Sequence, residues 1–256
     1  MKCLAIVLLG CVLAATPSSW GLIYQTGFET PIFTPTVPLD GQGGWVGLDA
    51  GYPGSIKAAK VMQDPDRAGS GRRFVQCWAG DLEKPYGPDF DGNWEYPIDF
   101  DAVTNPAIVR VQADVKLVGP DTGEGPNADW VSANLLARNG RARAAYYYLS
   151  SNGCVYANAN YYDEITKQDV RVYYQHETPI KFGEYNRLAI ILNYRTHIAT
   201  FEVNNKVIGT LRFGGPGERF QSVLIECWAW NAPQVYDHTK YMAYWDNFLV
   251  TARPAP

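Results

Sequence analysis

The sequence predicts an all-β protein, a sandwich of two antiparallel sheets. Three observations carry this. Apolar residues recur at every second position in segment after segment, and no long stretch follows a helical period. The 256 residues include 24 Gly and 17 Pro, enough to punctuate many short strands with turns. Aromatic residues reach 14% against 19% charged, which suits one large β-sandwich, since all-β domains of this size often do not split.

The chain opens with a segment that is not expected to fold with the rest. Residues 1–21 hold one early charge, Lys2, then an apolar run from Leu4 to Ala15, then small residues at Ser19 and Gly21. That is the pattern of a secretory signal peptide, with cleavage expected after Gly21. The run is too short for a membrane span. Leu8-Leu9-Gly10-Cys11 resembles a bacterial lipoprotein box, but the apolar run continues beyond it, and simple export is the reading taken. Residues 22–256 then form a single domain that is secreted or extracellular, the periplasm or cell surface being variants of the same reading. Export implies an oxidising compartment. Cys77, Cys154 and Cys227 remain, an odd number. Cys77 and Cys227 sit in strand-like apolar stretches, where a thiol acts as a small buried hydrophobe.

The clearest strands lie in residues 184–213, EYNRLAIILNYRTHIATFEVNNKVIGTLRF. Leu188, Ile190 and Leu192 alternate with Ala189, Ile191 and Asn193. Ala199, Phe201 and Val203 share one face of the next strand. Val207, Leu211 and Phe213 share one face of a third. Asn204-Asn205 reads as a two-residue turn, because Asn tolerates positive φ. Upstream, residues 22–28, 55–61, 73–78, 107–117, 129–138, 142–149, 154–161 and 169–175 read as strands. Downstream, 221–230 and 241–251 do. Residues 79–101 read as a long acidic and aromatic loop. A net charge of -4 argues against a nucleic-acid partner, which would show a basic patch.

The two ends carry the most informative pairing. Gly27-Phe28-Glu29, followed by Asp40-Gly41-Gln42-Gly43-Gly44-Trp45, opens the mature chain. Tyr244-Trp245-Asp246-Asn247-Phe248 closes it. Together with Arg67-Ala68-Gly69-Ser70-Gly71 and the meander ending in Asn204-Asn205, these resemble the concanavalin A-like (laminin-G-like) superfamily found in exported bacterial proteins. The resemblance implies a jelly-roll β-sandwich. It also implies structural calcium, with Glu29 and Asp246 as the carried-over ligands. The chemistry agrees, since Ca²⁺ takes six to eight oxygens from carboxylates and carbonyls. Terminal strands lying side by side would bring the two carboxylates together, with carbonyls near residues 68–71 completing the shell.

Eight tyrosines crowd residues 146–174. Alternation puts Tyr146 and Tyr148 on one face and Tyr147 on the other. Aromatic rings with polar tips suit sugar rings, which present C–H patches beside hydroxyls. The expected function is therefore recognition of a polysaccharide or other glycan on an aromatic concave face. Tyr146, Tyr148, Tyr156, Tyr173, Arg171 and Gln175 are its candidate residues, with Trp94, Trp130, Trp228 and Trp230 as further stacking rings. Cross-strand packing explains part of this tyrosine content.

Two enzymatic alternatives use the same fold. A glycoside hydrolase needs two carboxylates, and Glu95 and Glu226 are the candidates. The Glu-x-Asp-x-x-Glu strand signature of the laminarinase-like jelly rolls is absent, and the acids of 81–101 read as a solvated loop. A polysaccharide lyase needs a Tyr or His base beside groups that neutralise a uronate. Tyr174 and His176, with Arg171 and Arg143, offer those types. An extracellular adhesion module with a protein partner is the third reading.

Overall fold

A computed structural model describes residues 20–48, 59–64, 72–79, 90–98, 107–118, 131–139, 143–150, 155–176, 183–229 and 240–254. Among these residues all regular structure longer than one turn is β. The strands are β1 (Gly21–Thr26), β2 (Val46–Leu48), β3 (Ala59–Gln63), β4 (Arg73–Trp78), β5 (Phe90–Pro97), β6 (Ala107–Val118), β7 (Val131–Asn139) and β8 (Arg143–Ser150). They continue with β9 (Val155–Asp163), β10 (Gln168–His176), β11 (Asn186–Asn193), β12 (Ile198–Val203), β13 (Lys206–Arg212), β14 (Phe220–Ala229) and β15 (Met242–Pro254).

They form two antiparallel sheets, as a jelly-roll β-sandwich requires. One has eight strands in the order β13-β12-β11-β6-β15-β4-β3, with β1 also paired to β15. The other has seven, in the order β10-β9-β8-β7-β14-β5-β2. Consecutive chain segments cross between sheets, so each sheet mixes residues distant in sequence. The alternation read from sequence sets the faces. In β6, Val109, Val111, Ala113, Val115 and Leu117 are buried, while Arg110, Gln112, Asp114 and Lys116 point outward. In the facing sheet, Ala133, Leu135, Ala137, Ala157, Ala159, Val223 and Ile225 enter the same core. Burial of these side chains is the main stabilising term, about 1.5–3 kcal/mol for each large aliphatic.

The terminal motifs act in packing. Trp45 is fully buried against Phe28 and Phe248, and its indole N–H donates to the Tyr24 hydroxyl at 3.0 Å. Tyr24 of β1 stacks on Tyr96 of β5 with ring centroids 3.8 Å apart, closing that end between the sheets. β15 contains a bulge. Ala243 and Trp245 are buried, and so are Phe248 and Val250, with two residues, Asp246 and Asn247, separating the two phases. The register against β6 shifts between Asp246 and Leu249, and Asn247 absorbs the extra residue at φ 49°. The Asn204-Asn205 turn has φ of 50° and 64°, the left-handed pair that a tight hairpin turn needs.

Residues 79–101 do not form one continuous loop. Positions 90–97 are β5, paired along their length with β14. The acids and amide of this stretch, Asp91, Asn93 and Glu95, occupy alternate positions, with Gly92 and Trp94 between them. β2 is a short strand that the sequence reading omits; it pairs with β5. Cys77 and Cys227 are buried in the core. Burial, then the neighbouring Cys227, pushes the Cys77 thiol well up. Cys154 and residues 1–19 lie outside the described residues.

Candidate functional site

The seven-stranded sheet has one face in the core, and its other face is assembled by register. One row of paired positions runs Asn93, Glu226, Asn134, Tyr148, Tyr156, Gln175. The next runs Glu95, Leu224, Leu136, Tyr146, Asn158, Tyr173. Each row crosses from β5 to β10, roughly 24 Å at about 4.8 Å per strand. Arg171 pairs with Asn160 in a third row. Trp228 lies two positions beyond Glu226, paired with Asp91 and Ser132. Six separated candidates, Tyr146, Tyr148, Tyr156, Arg171, Tyr173 and Gln175, thus fall on one face.

Polar groups are sunk into this face. Glu226, Asn134 and Asn158 are 0%, 1% and 0% exposed although they lie opposite the core. Asn134 Nδ2 donates to Glu226 Oε2 at 2.6 Å. Arg171 donates through Nε and Nη2 to Asn158 Oδ1 at 3.3 and 3.2 Å. Asn134 Oδ1 and Asn158 Nδ2 are buried with no hydrogen-bond partner. Such atoms cost about 1–3 kcal/mol each unless something else satisfies them. Leu136, Leu224 and the half-buried Leu48 form a small apolar floor between the rows.

The two carboxylates singled out in the sequence also meet here. Glu226 pairs with Asn93 and Glu95 with Leu224, so they are diagonal neighbours on adjacent strands, a spacing of about 7 Å. Both are already engaged. Arg138 Nη1 reaches both Glu95 oxygens at 3.3 and 3.2 Å, and the Ser222 hydroxyl donates to Oε1. Glu226 is fully buried on Asn134.

Other expectations are corrected. Trp94 is a core residue: it is 0% exposed, paired with Ile225, and belongs to the main apolar cluster. Positions 174 and 176 pair with Ala157 and Val155, both in the core rows, so Tyr174 and His176 do not share a face with Arg171. Trp130 and Trp230 lie outside the described residues. Asn134, Arg138 and Ser222 were missed in sequence. Their signal was available, as polar residues that interrupt apolar strands at alternate positions.

Glu29 and Asp246 come together at the opposite side of the sandwich. A Cβ placed on Gly27 would stand 3.6 Å from Asp246 Oδ1 and 3.8 Å from Glu29 Cγ, so the two acids flank the main chain at this residue. Glu29 Oε1 accepts from the Arg73 amide at 2.8 Å. Asp246 pairs across β6 with Asp114, which Arg187 holds through two bonds of 2.8 and 3.1 Å. Burial, and behind it the charges of Asp114 and Glu29, pushes the Asp246 carboxyl up to about 6. Among the described residues no three carboxylate, imidazole or thiol groups are assembled as a metal cluster.

No family model and no curated protein sequence matches the chain. Solved structures do. An endo-1,3-beta-glucanase from Streptomyces sioyaensis superposes with a TM-score of 0.61 at 10% identity, covering 94% of this chain and 99% of that one. An endo-beta-1,4-glucuronan lyase from the fungus Trichoderma reesei gives 0.55 at 9%, covering 85% and 95%. A glycoside hydrolase family 16 protein of a Bacteroides ovatus mixed-linkage glucan locus, solved with an oligosaccharide product, gives 0.54 at 12%, covering 89% and 99%. The shared fold is a jelly-roll β-sandwich. At these identities the likeness establishes the fold, and the chemistry must come from the residues of this chain.

Proposed function

We propose that this protein is an exported carbohydrate-binding jelly roll that holds a polysaccharide along the outer face of its seven-stranded sheet. The observation that carries the reading is the pair of rows crossing six strands, which gather four tyrosine positions and four amide positions on one face. A sugar chain presents hydroxyls and C–H faces at regular intervals, and tyrosine and amide positions complement both. The named activities of the structural neighbours, on 1,3-β-glucan, glucuronan and mixed-linkage glucan, support a glycan as ligand. The test incubates purified protein with plant, algal and bacterial polysaccharides and records retention, reducing ends and unsaturated uronates together. Retention without new ends is expected.

The hydrolase is the second reading, favoured by the placement of Glu95 and Glu226 as diagonal neighbours. Release of reducing ends that disappears in Glu95→Gln and Glu226→Gln would replace binding with catalysis. The ion pair on Glu95 and the burial of Glu226 speak for structural roles instead. The lyase reading has less support, since positions 174 and 176 pair with Ala157 and Val155 of the core rows.

Structural calcium belongs to the same proposal. Glu29 and Asp246 supply two carboxylates around Gly27, a donor set that suits a hard cation. A Ca²⁺ there takes its other ligands from main-chain carbonyls and water. EDTA should lower the melting temperature of the wild type and leave Glu29→Ala and Asp246→Ala unchanged. A calcium-dependent melting point that survives in both variants excludes this site.

A further inference from the structure

A cavity of about 580 Å³ opens beside the proposed face, lined by Tyr162, Glu218, Arg219, Gln221 and the main chain of residues 215–217. Tyr162 is on β9, four residues beyond Asn158, so the cavity lies about 13 Å to the side of the nearer sugar-binding row rather than in line with it. Its size is that of a small-molecule site.

The walls are built rather than incidental. The loop after β13 is fastened to β9 by Gly214 N–H to Asn160 O at 2.8 Å and Tyr162 N–H to Gly214 O at 3.2 Å. Only glycine fits at two points of this docking. Gly214 has φ +66°, and a Cβ there would stand 3.3 Å from Asn139 Nδ2 and from Glu218 Oε2. A Cβ on Gly215 would stand 2.9 Å from Tyr162 Cβ. Behind the loop a chain of bonds fixes the carboxylate. The Tyr194 hydroxyl donates to Asn139 Oδ1, which turns Asn139 Nδ2 to donate to Glu218 Oε2 at 2.7 Å. Burial, then the charge of Glu218, pushes the Tyr194 phenol well up and keeps it a donor.

We propose that this cavity is a lateral subsite for a single neutral pyranosyl branch of the glycan, with Tyr162 as the ring platform and Glu218 accepting two sugar hydroxyls. The proposal rests on the reading of the face given above. A fixed carboxylate beside an aromatic ring accepts from vicinal hydroxyls and disfavours a uronate, with Arg219 on the same wall as the opposing charge. The sideways offset admits a branch while the main chain keeps to the rows. Tyr194 and Asn139 are positioning residues, acting through Glu218.

The experiment compares matched polymers by affinity electrophoresis: linear mannan with galactomannan, and linear β-1,3-glucan with the same backbone bearing single glucosyl branches. The wild type should retain the branched partner more tightly. Tyr162→Ala and Glu218→Gln should each lose that preference, by roughly tenfold for one charge-assisted contact, and still retain the linear polymer. Tyr148→Ala should weaken both polymers equally. A branch preference that persists in Tyr162→Ala and Glu218→Gln overturns the subsite and leaves the face standing. Loss of all retention in the wild type overturns the face. The subsite is then decided by saturation-transfer NMR with methyl α-galactopyranoside, methyl β-glucopyranoside and methyl β-glucuronide. Signals from the two neutral glycosides that vanish in Glu218→Gln support it, and silence or a preference for the glucuronide overturns it.

Discussion

The two sheets turn different chemistry to the outside. On the eight-stranded sheet the outer groups are charged and neutralise one another. Arg110 pairs with Glu202 at 2.8 Å, Arg187 grips Asp114, and Lys116 lies over the rings of Tyr185 and Tyr244. On the seven-stranded sheet the outer positions are tyrosines and amides, with one carboxylate sunk onto Asn134 and two buried amide atoms left over. The first face meets most of its charge within itself, although Arg253 Nε on β15 is buried without a hydrogen-bond partner. The second holds hydrogen-bonding capacity in reserve, costly to the folded protein unless a ligand uses it. That asymmetry, more than the fold, directs attention to one side of the molecule.

The largest expected effect separates core from face within that sheet. Trp94 sits one position from Glu95 and Asn93 but enters the core. Trp94→Ala should lower stability by about 3–5 kcal/mol, as large-to-small core changes do, measured by urea unfolding. A stable Trp94→Ala that only loses glycan retention would return this ring to the binding face and break the distinction.

Next come the face tyrosines. Tyr148→Ala and Tyr173→Ala occupy different rows, and each should weaken polysaccharide retention by roughly tenfold, about 1.4 kcal/mol, with little change in melting temperature. If both bind normally, the outer face of this sheet is the wrong surface. A third outcome, parallel loss of binding and of stability, would make these rings packing residues.

Most of this comparison was legible in sequence, and the gaps have physical causes. Alternation alone put Tyr146 and Tyr148 on one face and opposed them to Tyr147. It could not show that Asn134 on β7 and Gln175 on β10 lie in one row, because that follows from register across four strands. β5 was hidden by its own face: the acids of positions 91 and 95 resemble a loop, and only pairing with β14 reveals the alternation. Trp94 was misplaced for the same reason. The Glu29–Asp246 juxtaposition was anticipated from a resemblance. The lateral cavity had no sequence signal, since it arises where the loop after β13 docks on β9.

Alkaline titration tests the interior that both faces cover. Burial raises the Tyr24 phenol to about 12, ahead of the opposing hydrogen bond from Trp45. The native state therefore holds this proton more tightly than the unfolded chain. The resulting stability is full below pH 10 and is lost as pH climbs from 10 towards 12. Tyr194 and Cys77 contribute in the same direction. Tyr24→Phe should flatten part of the alkaline decline in a urea series at pH 9 to 12. An unchanged slope would mean that Tyr24 reaches water between the sheets.

The smallest effect belongs to the charged face. Arg110 and Glu202 are mostly shielded, at 19% and 16% side-chain exposure, yet they lie on a solvated sheet surface and Arg110 also reaches Gln112. Such a pair contributes about 0.2–1 kcal/mol, less at high salt. Arg110→Ala, Glu202→Ala and the double variant should complete a cycle with a coupling of that size that shrinks in 1 M salt. None of the three should alter polysaccharide retention. A loss of retention here would place a ligand on both sheets and erase the asymmetry. A salt-independent coupling would show that the pair is buried by something beyond the sheet surface, and that this face too is covered.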